Sequence, residues 1–258
     1  MERKDELNWE HKCDLGWLRQ RQQFITASDI KRLIPFTKTG RPRVVNDATR
    51  LNVMAGKMIN LTEEDCMSYG AAARGHILEP YAIAAANDML LDLTRRKNVL
   101  KWWDDEMVCF LDRSLAFSPD ALDVPMDGDF TKARVIGEVK CYTPEQHLAV
   151  AYTEKDKIEE RWQIATAMAV LPSLDTGYLI LYNPRMKERK VFLIEWDRDE
   201  LSKEIDTILQ VEKDWDEFVE NGPLHHNLPN NGCWANIGLS EDALIHVIEK
   251  KKGVNPVI

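Results

Sequence analysis

Residues 117–142, FSPDALDVPMDGDFTKARVIGEVKCY, constrain this chain more than any other stretch. Val135, Ile136 and Val139 are β-branched and mark a strand buried on at least one face. Side chains at i and i+2 of a strand point the same way, so Glu138 and Lys140 project together and Val139 turns away. A carboxylate and an ammonium beside an apolar strand call for a partner or a task. Upstream, Ser118-Pro119-Asp120 forms a turn. If the chain returns so that Asp120 faces Glu138, two carboxylates converge beside one lysine. Such oxygen donors suit Mg²⁺ or Mn²⁺, and the lysine can orient or help deprotonate an attacking water. The same residues also fit a solvated ion pair and an ordinary turn, so the strand alone leaves both readings open.

Length and composition narrow the setting. A chain of 258 residues, 44% hydrophobic and 30% charged, has the material for a sizeable core. No run approaches the roughly 18 apolar residues of a membrane span, and the charged beginning MERKDELNWEHK lacks the apolar region of a secretory signal. The five cysteines, Cys13, Cys66, Cys109, Cys141 and Cys233, are too dispersed for a disulfide framework, a zinc knuckle or an iron–sulfur cluster. A reducing cytoplasm is the expectation. No Gly-x-Ser-x-Gly elbow occurs, and His225-His226 sits in a polar loop.

A net charge of −9 argues superficially against nucleic acid, but its distribution is uneven. Residues 19–50 carry eight basic side chains against Asp29 and Asp47, whereas 195–220 carry eleven acids against Arg198, Lys203 and Lys213. One part of the chain can face phosphates while another stays solvated or meets a partner.

The pattern predicts a leader or short helix in 1–15, a helix over 17–23, and a further helix from Asp29 capped by Thr26 or Ser28 and ended by Pro35. A helix start beside Arg21 would suit an anion, though a plain capped surface helix fits equally. Residues 38–43 read as a basic loop. A long helix over 69–91 carries Gly75 and Glu79 on one face, with Pro80 starting or kinking a turn. Strands are expected over 107–112, 133–142, 177–183 and 190–197, with a turn at Asp127-Gly128-Asp129 and a basic loop over 184–189. An amphipathic helix over 159–171 bears Gln163, and an acidic helix covers 199–221. Residues 225–232 read as loop, and a last helix is expected from Ser240 to about residue 252. The order points to α/β: a single domain with a small mixed sheet flanked by helices, its core over about 17–197 and a helical extension over 198–258.

Taken in order, Gly75-xxx-Glu79, Ser118-Pro119-Asp120, Glu138-Val139-Lys140 and Gln163 resemble the PD-(D/E)XK nuclease superfamily. Ile25-Thr26-Ala27-Ser28, Arg21 and Pro184-Arg185-Met186-Lys187 narrow the likeness to the lambda exonuclease and YqaJ-like viral recombinase family, from about Trp17 to Asp197. The resemblance implies a restriction-endonuclease-like core. It further implies that Asp120, Glu138 and the Val139 carbonyl hold a divalent cation, Mg²⁺ or Mn²⁺, that Glu79 supports a second, and that Lys140 and Gln163 position water. Arg21 and Ser28 match the family's 5′-phosphate pocket. The implied activity is 5′→3′ degradation of one strand of double-stranded DNA to 5′-mononucleotides, leaving 3′ overhangs. It comes with a toroidal homotrimer, a single-strand annealing partner, no membrane, and a phage or prophage origin in a bacterial cytoplasm. Ala121 stands where the family usually has glycine, and residues 35–68 and those after Asp197 match poorly. A site-specific endonuclease, a junction resolvase and a non-catalytic DNA-end scaffold share the core. A terminal-phosphate pocket speaks against the endonuclease, and a complete set of acids plus lysine against the scaffold.

Overall fold

The computed structural model describes residues 10–35, 43–94, 100–103, 107–110, 113–221 and 245–248. In chain order its elements are β1 (Glu10–Lys12), α1 (Leu15–Arg21), β2 (Ile25–Thr26), α2 (Ala27–Leu33), α3 (Asp47–Met58), β3 (Met67–Tyr69) and α4 (Ala71–Thr94). There follow β4 (Lys101–Trp102), β5 (Met107–Phe110), β6 (Leu115–Phe117), β7 (Ala121–Leu122), β8 (Val135–Lys140), α5 (Pro144–Ala151) and α6 (Arg161–Val170). The remainder are β9 (Thr176–Tyr182), β10 (Val191–Asp197), α7 (Ser202–Asn221) and β11 (Ile245–Ile248).

The expected mixed α/β architecture is present, but the strands divide among more than one sheet. Five form the order β10-β9-β8-β7-β4, four the order β11-β5-β6-β2, and β1 pairs with β3. Within the larger sheet β8 and β9 run parallel, and the other neighbours run antiparallel. The parallel pair needs a crossover, which α5 and α6 supply. The chain passes from the smaller sheet to the larger at Ser118-Pro119-Asp120, between β6 and β7. The turn with Gly128 at φ +76° then returns it antiparallel along β8.

Alternation along β8 sorts its side chains. Ile136 joins a core with Ile164, Ala167 and Met168 of α6 and with Ile208 and Trp215 of α7. Val135 and Val139 join a second core with Ala82, Ile83 and Ala86 of α4. Glu138 and Lys140, in step with Ile136, belong to the α6 side. Close approach between α6 and β9 depends on Gly177, where an added Cβ would lie 2.1 Å from Cγ2 of Ile164. Gly177→Ala is therefore expected to destabilise the fold by about 1–3 kcal/mol, because a β-branched side chain on a buried helix has little room to yield. Urea denaturation against the parent chain measures it.

Several local expectations change. The second helix starts at Ala27, not Asp29, because Thr26 caps it: its N–H and hydroxyl both donate to Oδ2 of Asp29, at 3.0 and 2.9 Å. Helix α4 runs unbroken through Pro80. Helix α3 lies where no element is expected, opened by Asn46, whose Oδ1 accepts from the Thr49 N–H. The helix expected from Ser240 is contradicted at Ile245–Ile248, which form a strand parallel to β5. Ile245, Val247 and Ile248 are β-branched and favour extended backbone, and β5 offers an edge to pair with. The rest of that segment, the loop over 225–232, residues 38–42 and Asp112 lie outside the described residues. No described helix is long and apolar enough to cross a membrane.

Candidate metal and DNA-end site

Asp120 reaches the end of β8 because Ala121 pairs with Gly137, which sets the preceding turn against Val139. There Oδ2 of Asp120 accepts the Val139 N–H at 2.6 Å. Gly137 keeps this crossing close: a Cβ there would lie 3.0 Å from Cδ1 of Ile180 and 3.3 Å from the Cβ of Ala121. Glu138 is 7% exposed, and one of its oxygens, Oε1, takes two donors, Nζ of Lys140 and Nε2 of Gln163, the latter at 2.7 Å. Gln163 sits in the first turn of α6, which explains how a residue 25 positions away meets the strand.

Burial pushes the Asp120 carboxyl well above the usual carboxylate range, and the neighbouring Glu138 and Glu79 push it further. Lys140 and the Val139 N–H oppose that rise. Burial works against the Lys140 ammonium as well, but Glu138 and Asp120 outweigh it and raise its pKa above the ordinary lysine value. The site is thus a crowded set of acids incompletely neutralised by one lysine.

Glu79 comes from α4, its side chain 15% exposed, with Oε1 3.2 Å from Nδ1 of His76. It lines a cleft of about 360 Å³ together with Gly75, His76, Val139, Lys140 and Thr143. Arg74 fixes the floor of this cleft: Nη2 donates to the carbonyls of Cys141 and Tyr142, both at 3.0 Å. Asn183 adds a donor to Tyr142 O at 2.9 Å and accepts the Arg185 N–H at 3.0 Å, which ties the basic loop after β9 to the exit of β8.

Among the described residues, no three His, Cys, Asp or Glu side chains are arranged to hold a metal by themselves. The donor chemistry nevertheless fits a hard divalent cation. The hydrogen bonds above engage one oxygen each of Asp120 and Glu138 and leave Oδ1 and Oε2, and mutual repulsion among the acids is what a cation relieves.

The second group forms where β2 runs parallel to β6, Thr26 opposite Ala116. The residues that follow these strands, Ser28 and Asp120, therefore emerge from the same end of that pair. Arg21 donates from Nη2 to Oγ of Ser28 at 3.0 Å and lies over the Trp17 ring at 5.1 Å. Lys57, from the unexpected helix α3, meets Asp29 at 2.6 Å, with only 10% of its side chain exposed. Burial lowers its pKa; Asp29 resists, and the nearby Arg21 and Arg32 lower it further. Burial would raise Asp29, but Lys57 and the Thr26 hydrogen bonds hold it below the usual range. Arg21, Lys57 and Arg32 thus lie close to one another, with Arg21 on Ser28 and the Asp29 carboxylate on Lys57. Lys57, Arg74 and His76 carry no local motif, and only their three-dimensional neighbours identify them.

No curated protein matches the chain. An alkaline exonuclease (LHK-Exo) from Laribacter hongkongensis is 19% identical in one crystal structure, with 78% of this chain and 93% of that chain covered and a TM-score of 0.49. Its complex with dAMP gives 16% identity, 79% and 95% coverage and a TM-score of 0.50, a likeness of fold. The model of the YqaJ-like viral recombinase domain matches residues 16–178, more than half of the chain and a span that includes every candidate residue from Arg21 to Gln163. This protein belongs to the YqaJ-like viral recombinase domain family.

Proposed function

We propose that the chain is a divalent-metal-dependent nuclease that degrades double-stranded DNA from 5′ ends in the 5′→3′ direction. It releases 5′-mononucleotides and leaves 3′ overhangs for recombination by strand annealing in the cytoplasm of a phage-bearing bacterium. The observation that carries this reading is the convergence of Asp120, Glu138 and Glu79 with Lys140 at the end of β8. Asp120, Glu138 and the Val139 carbonyl would hold one cation and Glu79 a second, with Mg²⁺ or Mn²⁺ as the ions. When bound, these ions supply positive charge to the phosphoryl oxygens and acidify water. Lys140 has three N–H donors and the Gln163 amide two, so each can hold Glu138 and an attacking water together. Buried Glu138 acts as the anchor that keeps both donors aimed. Arg21 and Ser28 receive the terminal 5′-phosphate, and Lys57 strengthens the local positive potential. The family's homotrimer around DNA and an annealing partner complete the proposal.

Linear duplex labelled at either end, carrying 5′-phosphate or 5′-hydroxyl, is the test substrate, in Mg²⁺ or in EDTA. Mononucleotides released from phosphorylated 5′ ends only with Mg²⁺, and intact closed circles, are expected. Cut circles would make it an endonuclease, and bound but uncut ends a scaffold. Arg21→Ala is expected to reduce the preference for 5′-phosphate over 5′-hydroxyl by about tenfold or more, as loss of a charge-assisted phosphate contact should. An unchanged preference would move the pocket elsewhere.

A further inference from the structure

We infer that His76, backed by His11, is the positioning residue for Glu79 and thereby sets the affinity of the second cation. The inference rests on the metal-dependent reading above. His76 lies three residues before Glu79 on α4, hence on the same face. Nδ1 of His76 stands 3.2 Å from Oε1 of Glu79; a proton on Nδ1 would face that oxygen, hold the carboxylate and leave Oε2 for a cation. The ring of His11 stacks on that of His76, with centroids 4.6 Å apart and planes 22° from parallel.

His11 is held there by backbone, not chance. It sits in β1, opposite Ser68 of β3, and β3 leads through Gly70, at φ +58°, directly into α4. A left-handed glycine at that junction lets the strand turn into the helix so that the β1–β3 ribbon faces its first turns. The stacked rings meet face to face, so their in-plane nitrogen lone pairs do not converge on one point. The pair braces a ligand and is not itself one. Carboxylate and metal ligands of this kind depend on an outer hydrogen-bond partner for orientation. His76 lines the same cleft as Glu79 and Lys140, so its effect falls on the site directly.

Mn²⁺ uptake by the full-length protein, followed by electron paramagnetic resonance and calorimetry without DNA, tests the inference. His76→Ala is expected to weaken the weaker of two Mn²⁺ ions by about tenfold or more, the usual cost of losing such a partner. His76→Asn, whose amide nitrogen can replace the Nδ1 donor, should restore most of that affinity, and His11→Ala should give an intermediate loss. The Mg²⁺ concentration for half-maximal cleavage should rise in parallel while the KM for DNA stays fixed. Thermal midpoints of the three variants should agree to within about 2 °C, the range of a partly exposed substitution. Two-ion uptake identical in wild type and His76→Ala would overturn the role of His76 and leave the nuclease reading intact. No uptake by the wild-type chain would overturn the metal reading and this inference with it.

Discussion

Asp120→Asn is expected to abolish cleavage and, in the absence of divalent metal, to make the protein more stable. Both effects come from the same crowding. Asp120, Glu138 and Glu79 lie close together at one partly buried end of the sheet, where burial and then the two neighbouring acids raise the Asp120 carboxyl. A native carboxyl with a raised pKa binds its proton more tightly than the unfolded chain does. Stability is therefore lost as pH rises from the ordinary carboxylate value, about 4, through the raised native value. Asparagine removes the charge and keeps an oxygen to accept the Val139 N–H that Asp120 holds at 2.6 Å. The gain should be about 1–2 kcal/mol at pH 8 in EDTA, a rise of several degrees in Tm, and should vanish in acid near pH 4. Added Mg²⁺ should stabilise the wild type by mass action and leave the variant little changed. Cleavage should fall by about a thousandfold or more, since the proposed function makes Asp120 a cation ligand. Thermal denaturation at two pH values, with and without Mg²⁺, together with single-turnover cleavage, reads all of these. A variant less stable than wild type in EDTA would mean that the acids are not in repulsive contact.

Glu212→Ala is expected to give the largest loss of stability. Glu212, on the inner face of α7, accepts from two nitrogens of Arg113, Nε (3.1 and 3.2 Å, to its two oxygens) and Nη2 (2.5 Å), and from the Leu115 N–H at 3.2 Å. Arg113 also donates to the Ala169 carbonyl at 2.7 Å, so one guanidinium joins α7, the start of β6 and the end of α6. Alanine would strand that guanidinium with its side chain only 21% exposed, and would orphan the backbone donor of a strand residue that is fully buried. Breaking one side of such a pair costs about 3–5 kcal/mol, a fall in Tm of roughly 6–20 °C for a domain of this size. The double variant Arg113→Met/Glu212→Leu should recover much of it, because the buried charge leaves with its partner. Equal losses in the single and double variants would show that the network contributes packing and little electrostatics. Since α6 carries Gln163 and packs against α7, the single variant should also lose cleavage at temperatures where the wild type is still active.

The site's strand was readable from the sequence because strand alternation is local. Ile136, Glu138 and Lys140 share one side whatever lies around them, and Gln163 follows on an apolar helix. The Thr26–Asp29 cap is likewise a relation three residues long, although choosing Thr26 over Ser28 needed the structure. Relations across longer separations left no periodic trace. Lys57 meets Asp29 from 28 residues away, His11 stacks on His76, and Arg113 grips Glu212 from 99 away. Two-residue strands such as β2 and β7 have no pattern of their own and exist only through their neighbours. Ile245–Ile248 fit a helix face or a strand equally well by period, and pairing with β5 decided between them. Residue order alone therefore determined on which side of each element the candidate groups stand. Tertiary structure decided which of them meet, because meeting depends on strand register and buried partners that no local periodicity encodes.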